Sequence, residues 1–296
     1  MFRNLRLYRL TGTWPESENA LSELLERAAF KPCSAYSERS AGWEPPTGDD
    51  DGLLCRRVGG ADLLRLRVQT RLLPGAAVNE ALEERVEAFR GRMQRDPGRV
   101  EKRQLRDEVI AELMPRALTK SERVRGFCLL QEKLIGVDTA SAAQAERFLD
   151  ALRDGLGSLP VTPLEFKKPI GAFLTRVFLG DGPGTFRAGR ECRMQDAAAG
   201  AATVSWMDID LADADVQRHV RHGLKLTRLA VQFEELLGCV IDEDGVLRKL
   251  KLTGLDAVED REDEDPLARL DAEFTLLVGV YRRLHEAMKK ELGGLA

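Results

Sequence analysis

Apolar and polar positions alternate from the start of the chain. In Phe2-Arg3-Asn4-Leu5-Arg6-Leu7-Tyr8-Arg9-Leu10 the near-alternation predicts a strand. From Glu16 to Ala29 the spacing changes to that of a helix, with Leu21, Leu24, Leu25 and Ala28 on one face. A loop rich in Gly, Pro and Asp follows, from Lys31 to Gly52. Period two then returns: Leu64, Leu66, Val68, Thr70 and Leu72 alternate with Arg65, Arg67, Gln69 and Arg71, giving a strand with an apolar face and an arginine-bearing face. Pro74-Gly75 breaks it and opens a helical hairpin. The first arm has Val78, Leu82, Val86, Phe89 and Met93 at helical spacing, Asp96-Pro97-Gly98 makes the turn, and the second arm runs to about Leu113. Each arm is expected to be roughly 25–30 Å long at 1.5 Å per residue.

Strands resume near Val124 to Gln131 and Leu134 to Val137. Ser141-Ala142-Ala143-Gln144 is a capping-box signature for a helix with Ala145, Phe148, Leu149, Leu152 and Leu156 inward. Leu159 to Leu164 reads as an extended, buried segment, and the apolar run Phe173 to Leu179 is followed by the turn Gly180-Asp181-Gly182-Pro183-Gly184. Strands are expected at Phe186 to Met194 and Thr203 to Ile209, with a short helix from Asp213 to His222. A hairpin of Leu224 to Phe233 with Cys239 to Leu252 follows, and the Asp244-Gly245 turn falls inside it. A helix from Pro266 to Leu292 places Leu270, Phe274, Leu277 and Tyr281 on one face. Strands and helices mix without a regular βαβ repeat, so the fold class is α+β with a projecting helical hairpin. The expected parts are residues 1–74 with 124–168, a basic hairpin at 75–123, and a second α+β part at 169–296.

Hydrophobic residues make up 43% of the chain and charged residues 32%, which is a globular balance and neither a disordered nor a membrane one. The N-terminal alternation lacks the unbroken apolar stretch of a signal peptide, so a cytoplasmic location is expected. Five cysteines (Cys33, Cys55, Cys128, Cys192 and Cys239) are odd in number and widely spaced, which points to reduced thiols rather than a zinc or redox motif. A net charge of −4 argues mildly against a nucleic-acid partner, but the charge is segregated along the chain. Residues 85–125 hold 12 Lys/Arg against 7 Asp/Glu, whereas residues 256–273 hold 9 acids against 2 arginines.

The basic excess crowds around the hairpin turn, at Arg90, Arg92, Arg95, Arg99, Lys102, Arg103 and Arg106, with Asp96 and Glu101 as the acids close by. Arg99, Lys102, Arg103 and Arg106 fall at i, i+3, i+4 and i+7, on one helix face. That density favours a polyanion, bound through phosphates without base reading; a solvated arginine-rich face is the plain alternative. Other motifs carry less. His219-x-x-His222 lacks an acidic or Cys partner at a ligand spacing and is flanked by Arg218 and Arg221. Asp242-Glu243-Asp244-Gly245 lacks the remaining positions of a calcium loop and reads as a hairpin turn. Gly180 to Gly184 has no phosphate-binding lysine. Consecutive carboxylates from Glu259 to Asp265 read as solvated rather than as a two-metal site. No catalytic residue, metal or cofactor is expected.

Several stretches in order resemble a known family. They are Asn4 to Leu10, Phe30-Lys31-Pro32-Cys33, Gly42-Trp43-Glu44-Pro45-Pro46, Asp107-Glu108-Val109 with Leu113-Met114-Pro115-Arg116-Ala117, and Leu152 through Leu164. Leu226-Thr227-Arg228-Leu229-Ala230, Asp244 to Lys251 and Arg269-Leu270-Asp271-Ala272-Glu273-Phe274 continue the match, which is to the recombination-associated RdgC family. The resemblance implies a ring-shaped homodimer whose basic hole admits duplex DNA, with single-stranded DNA as a weaker ligand. It also implies nucleoid association and antagonism of RecA-promoted strand exchange. Arg95 and Arg116 match basic positions that the family uses for DNA. Two departures stand out: Leu118 replaces a phenylalanine that closes the ring, and Asp208-Ile209 replaces a Lys-Gln pair that contacts DNA. Arg218, Arg221, Lys225 and Arg228 lie near enough in sequence to compensate. The competing expectations are a metal-dependent nuclease and a scaffold whose basic hairpin meets an acidic protein.

Overall fold

The computed structural model describes residues 2–48, 52–196, 202–253 and 265–296. In chain order its first elements are β1 (Asn4–Leu10), α1 (Glu18–Glu26), β2 (Arg39–Trp43), β3 (Cys55–Val58), β4 (Ala61–Leu72), α2 (Gly75–Met93) and α3 (Arg99–Leu113). After a 3-10 turn at Met114–Arg116 come β5 (Leu118–Leu129), β6 (Leu134–Val137), α4 (Ala142–Leu156), β7 (Val161–Pro163) and α5 (Ile170–Leu179). The remainder is β8 (Phe186–Asp196), β9 (Thr203–Met207), α6 (Ala214–Arg221), β10 (Leu224–Phe233), β11 (Leu237–Asp242), β12 (Leu247–Leu252) and α7 (Pro266–Glu291). The fold is α+β with a large antiparallel sheet. The chain divides into two compact units: Met1–Arg27, Pro45–Arg65 and Arg125–Ala296 form the larger, and Ala28–Glu44 and Leu66–Val124 the smaller.

In the larger unit β1 pairs with β6, β7 and β12, and the antiparallel order continues through β11, β10, β8 and β9. Long apolar side chains fix these strands. Leu5, Leu229, Phe233 and Ile241 are fully buried, and α7 lays Phe274, Leu277, Tyr281 and Leu284 into the same core. Phe127 stacks on Tyr281 with ring centres 5.5 Å apart. That stacking depends on glycine: a Cβ on Gly136 would lie 2.3 Å from the Phe127 ring, and one on Gly126 would lie 2.3 Å from the Phe148 ring. Local signals set the helix ends. Ser17 Oγ accepts from the Ala20 N–H at 3.1 Å to begin α1, Ser141 Oγ accepts from the Gln144 N–H to begin α4, and Gly157 at a φ of 77° ends α4. In the smaller unit β2 pairs antiparallel with the second half of β4, and Trp43 is buried beside Phe30, whose N–H donates to the Trp43 carbonyl at 2.8 Å.

Five expectations are corrected. The segment Leu159 to Leu164, expected to be buried, buries only Leu159, and β7 within it is half-buried to exposed. The strand expected from Val124 begins at Leu118, because its polar first half is held by pairing rather than by burial. The expected second hairpin arm, Cys239 to Leu252, is two strands. Asp242 Oδ1 accepts from the Asp244 and Val246 N–H groups at 3.2 and 2.9 Å and turns the chain there. The strand from Thr203 ends at Met207, since Asp208 takes a φ of 57°. The helix of Glu16 to Ala29 is shorter at both ends, Glu18–Glu26. The apolar run at Phe173 lies in a helix, α5, ended by Gly180 at a φ of 87°.

Candidate nucleic-acid interface

The hairpin belongs to the smaller unit. Its base is fixed by Val78 and Leu82 of α2, Val109 of α3, and Met114, all buried. Near the turn Phe89 is buried as well. Gln94 closes α2 in the left-handed region, φ 52°, with its N–H donating to the Arg90 carbonyl at 2.8 Å. Gly98 opens α3, and its N–H donates to Glu101 Oε2 at 2.8 Å. The Arg95 guanidinium donates to both Glu101 oxygens, at 2.6 and 2.7 Å, and lies 5.3 Å from the Phe89 ring centre. Hydrogen bonds from Arg95 and then from Gly98 hold the Glu101 carboxyl down to about 2. Arg90 pairs with Asp96.

The turn therefore uses two of its cations, Arg90 and Arg95, for its own construction. Arg106 donates to Asn79 Oδ1 at 3.2 Å, a neutral acceptor, and has no ion-pair partner among the described residues. Arg92, Arg99, Lys102 and Arg103 are exposed and have no ion-pair partner among the described residues. Those four, with Arg106, form the cationic surface that the hairpin offers.

At the hairpin's base Arg116 is exposed and also without an ion pair among the described residues, and two residues on Leu118 is 77% exposed. The backbone on both sides of Arg116 is pinned by Arg71, whose guanidinium donates to the Pro115 carbonyl at 3.4 Å and the Ala117 carbonyl at 3.1 Å. It also donates to Ser34 at 3.0 Å. Arg67, on the same strand, lies 4.3 Å over the Phe30 ring and donates to Ser121 Oγ at 3.1 Å. Sequence alternation put both arginines on one face of β4 but carried no sign that they serve as internal struts. Their partners are brought to them by β2 and β5.

The second basic group lies on the larger unit. Arg218 pairs with Asp215, Lys225 with Glu243 at 2.5 Å, and Arg221 donates to Gln217 Oε1 at 3.3 Å. Arg228 is half-buried on β10 with no ion pair among the described residues. Asp208 pairs with Arg190 at 2.9 Å. Among the described residues, Arg221 and Arg228 are thus the two of this group without an ion pair. The His219 ring lies 5.7 Å from the Trp206 ring, while His222 ends α6.

A family model described as "Putative exonuclease, RdgC" matches residues 1–295. The chain belongs to the RdgC family. A relative from Shewanella sp. (strain ANA-3), named "Recombination-associated protein RdgC", is 33% identical over 298 residues, covering 99% of this chain and 98% of its own. Another of that name from Xanthomonas oryzae pv. oryzae (strain MAFF 311018) is 34% identical over 287 residues, covering 96% and 95%.

The RdgC model's description names an exonuclease, whereas the RdgC relatives are named for recombination and for no activity. Among the described residues of this RdgC chain, no group of three or more His, Cys, Asp or Glu is placed to hold a metal ion. The acidic run 259–264 lies outside the described residues. Cys55, Cys128, Cys192 and Cys239 are buried free thiols, and burial pushes Cys192 up to about 11 and Cys239 up to about 12. No helix among the described residues is long and apolar enough to cross a membrane.

Proposed function

We propose that this chain binds duplex DNA without reading its sequence, encloses it as a homodimeric ring, and restrains RecA-dependent recombination by occupying the DNA at the nucleoid. It performs no reaction in this reading. The observation that carries it is the hairpin surface of Arg92, Arg99, Lys102 and Arg103, exposed and free of ion pairs among the described residues. Such charges are poised to replace counterions on phosphates, and the planar guanidinium forks two phosphate oxygens. Arg116 contributes at the base, with Arg221 and Arg228 as the second group, while Arg95, paired with Glu101, holds the turn that presents this surface. Leu118 supports the dimer: an exposed leucine beside Arg116 gains by burial against a second copy. The recombination role is supported by the names of the relatives.

The test is fluorescence anisotropy of a labelled random-sequence duplex across a salt series without magnesium, with light scattering on the same preparation. Binding by a dimer, with log affinity falling by about 0.9 per phosphate against log salt, is the expected result. A single strand of equal length should bind less tightly, with a slope of about −0.7 per phosphate. The exonuclease of the family model's description is tested by adding magnesium: shortening of the labelled strand would replace the proposal with that activity. No binding even at about 50 mM salt, where phosphate contacts are strong, would point to an acidic protein partner.

A further inference from the structure

Beneath β1 and α7 the larger unit encloses a cavity of about 200 Å³. Its wall is mainly apolar, with Leu134, Leu247, Leu284 and Met288 among the side chains that form it. Two polar side chains of α7 interrupt that wall, Tyr281 and His285, which are 3% and 5% exposed. Four residues apart, they lie on the same helix face. Neither Tyr281 Oη nor His285 Nδ1 has a hydrogen-bond partner among the described residues. Leaving such groups buried and unpaired is costly, so they are normally satisfied. The Phe127 ring stacks on the Tyr281 ring, with centres 5.5 Å apart.

We propose that this cavity is a binding site for a small neutral amphiphile, a single aromatic ring or short aliphatic body bearing one hydroxyl, whose oxygen pairs with Tyr281 and His285. Size argues for one ring, since an apolar cavity of about 150 Å³ takes up benzene. Charge argues for a neutral head. Arg6, Glu146 and Asp244 also line the cavity, so an anion would meet two carboxylates and one guanidinium that already donates to the Ala140 carbonyl at 3.2 Å. Burial lowers the His285 pKa and raises that of Tyr281, so both side chains are neutral and each offers one donor or acceptor to a hydroxyl. Nothing in the DNA-binding reading requires this site, which contains none of the residues assigned there.

Isothermal titration of the full chain with p-cresol and with toluene tests it, since the pair differs by one hydroxyl. p-Cresol should bind about tenfold tighter than toluene, the worth of roughly one well-placed buried hydrogen bond. Tyr281→Phe should erase most of that preference while leaving toluene binding and folding intact, because it removes an unpaired hydroxyl. Leu164→Trp, which fills the cavity from its half-buried rim, should abolish binding of both. Equal affinities, no binding of either compound, or binding unchanged in Leu164→Trp would each overturn the proposal.

Discussion

Replacing Arg99, Lys102 and Arg103 by alanine removes three charges from one face of α3 without touching an ion pair among the described residues. All three side chains are exposed, so the fold should be indifferent: surface changes of this kind fall within about 0.5 kcal/mol, and alanine is as good a helix former. DNA affinity should respond steeply. Each phosphate contact lowers the slope of log affinity against log salt by about 0.9, which makes it worth roughly eightfold at about 0.1 M salt. Three contacts in one protomer give a loss of about 500-fold and a slope shallower by about 2.7, and a dimer that engages both hairpins doubles the change in slope. Anisotropy on a random duplex from about 50 to 200 mM salt measures both quantities. The control is Arg153→Ala on α4, a residue already paired with Asp150 on the larger unit; its slope should equal that of the wild type. An unchanged slope in the triple variant would mean that DNA is held elsewhere and not by this face of α3.

Three further outcomes are expected. Leu118→Ala should weaken self-association by about ten- to a hundredfold and Leu118→Phe should strengthen it, the worth of burying such a side chain; sedimentation of a dilution series decides, and an unaffected dimer removes Leu118 from the interface. Gly136→Ala should cost about 1–3 kcal/mol in urea unfolding, since the new methyl would lie 2.3 Å from the Phe127 ring and overpack it; a neutral result would mean that the ring moves freely. The Glu101 carboxylate has its pKa depressed in the folded state, so its contribution to the turn is present above the ordinary glutamate range and is lost as pH falls through about 2. Its NMR titration midpoint should sit near that value and rise in Arg95→Ala, whereas an ordinary midpoint in the wild type would contradict the paired turn.

Periodicity located the elements whose signals are local. The second hairpin arm was expected to end at about Leu113 and does, since the Asp-Pro-Gly turn and the helical spacing of basic residues are properties of neighbouring positions. Ser141 and Gly157 mark α4 for the same reason. Phe173 to Leu179 was recognisable only as an apolar run, because such a run has no clear period to separate helix from strand. The early start of β5 at Leu118 was hidden, as a polar strand is defined by its partner and not by its pattern.

The cationic surface divides in the same way. Sequence alone determined that seven cations gather at one turn and that four of them share a helix face, because a helix converts spacing directly into position. Tertiary structure decided which remain available. Arg90 and Arg95 are engaged by Asp96 and Glu101 as the chain reverses, whereas Arg92, Arg99, Lys102 and Arg103 have no ion-pair partner among the described residues. The arginines of β4 show the reverse case, equally charged in sequence but used on Phe30, Ser121 and backbone carbonyls that β2 and β5 bring from distant positions. The cavity under α7 was invisible in the sequence, since its walls come from β1, β6, β12 and α7, and a gap between packed side chains has no local pattern.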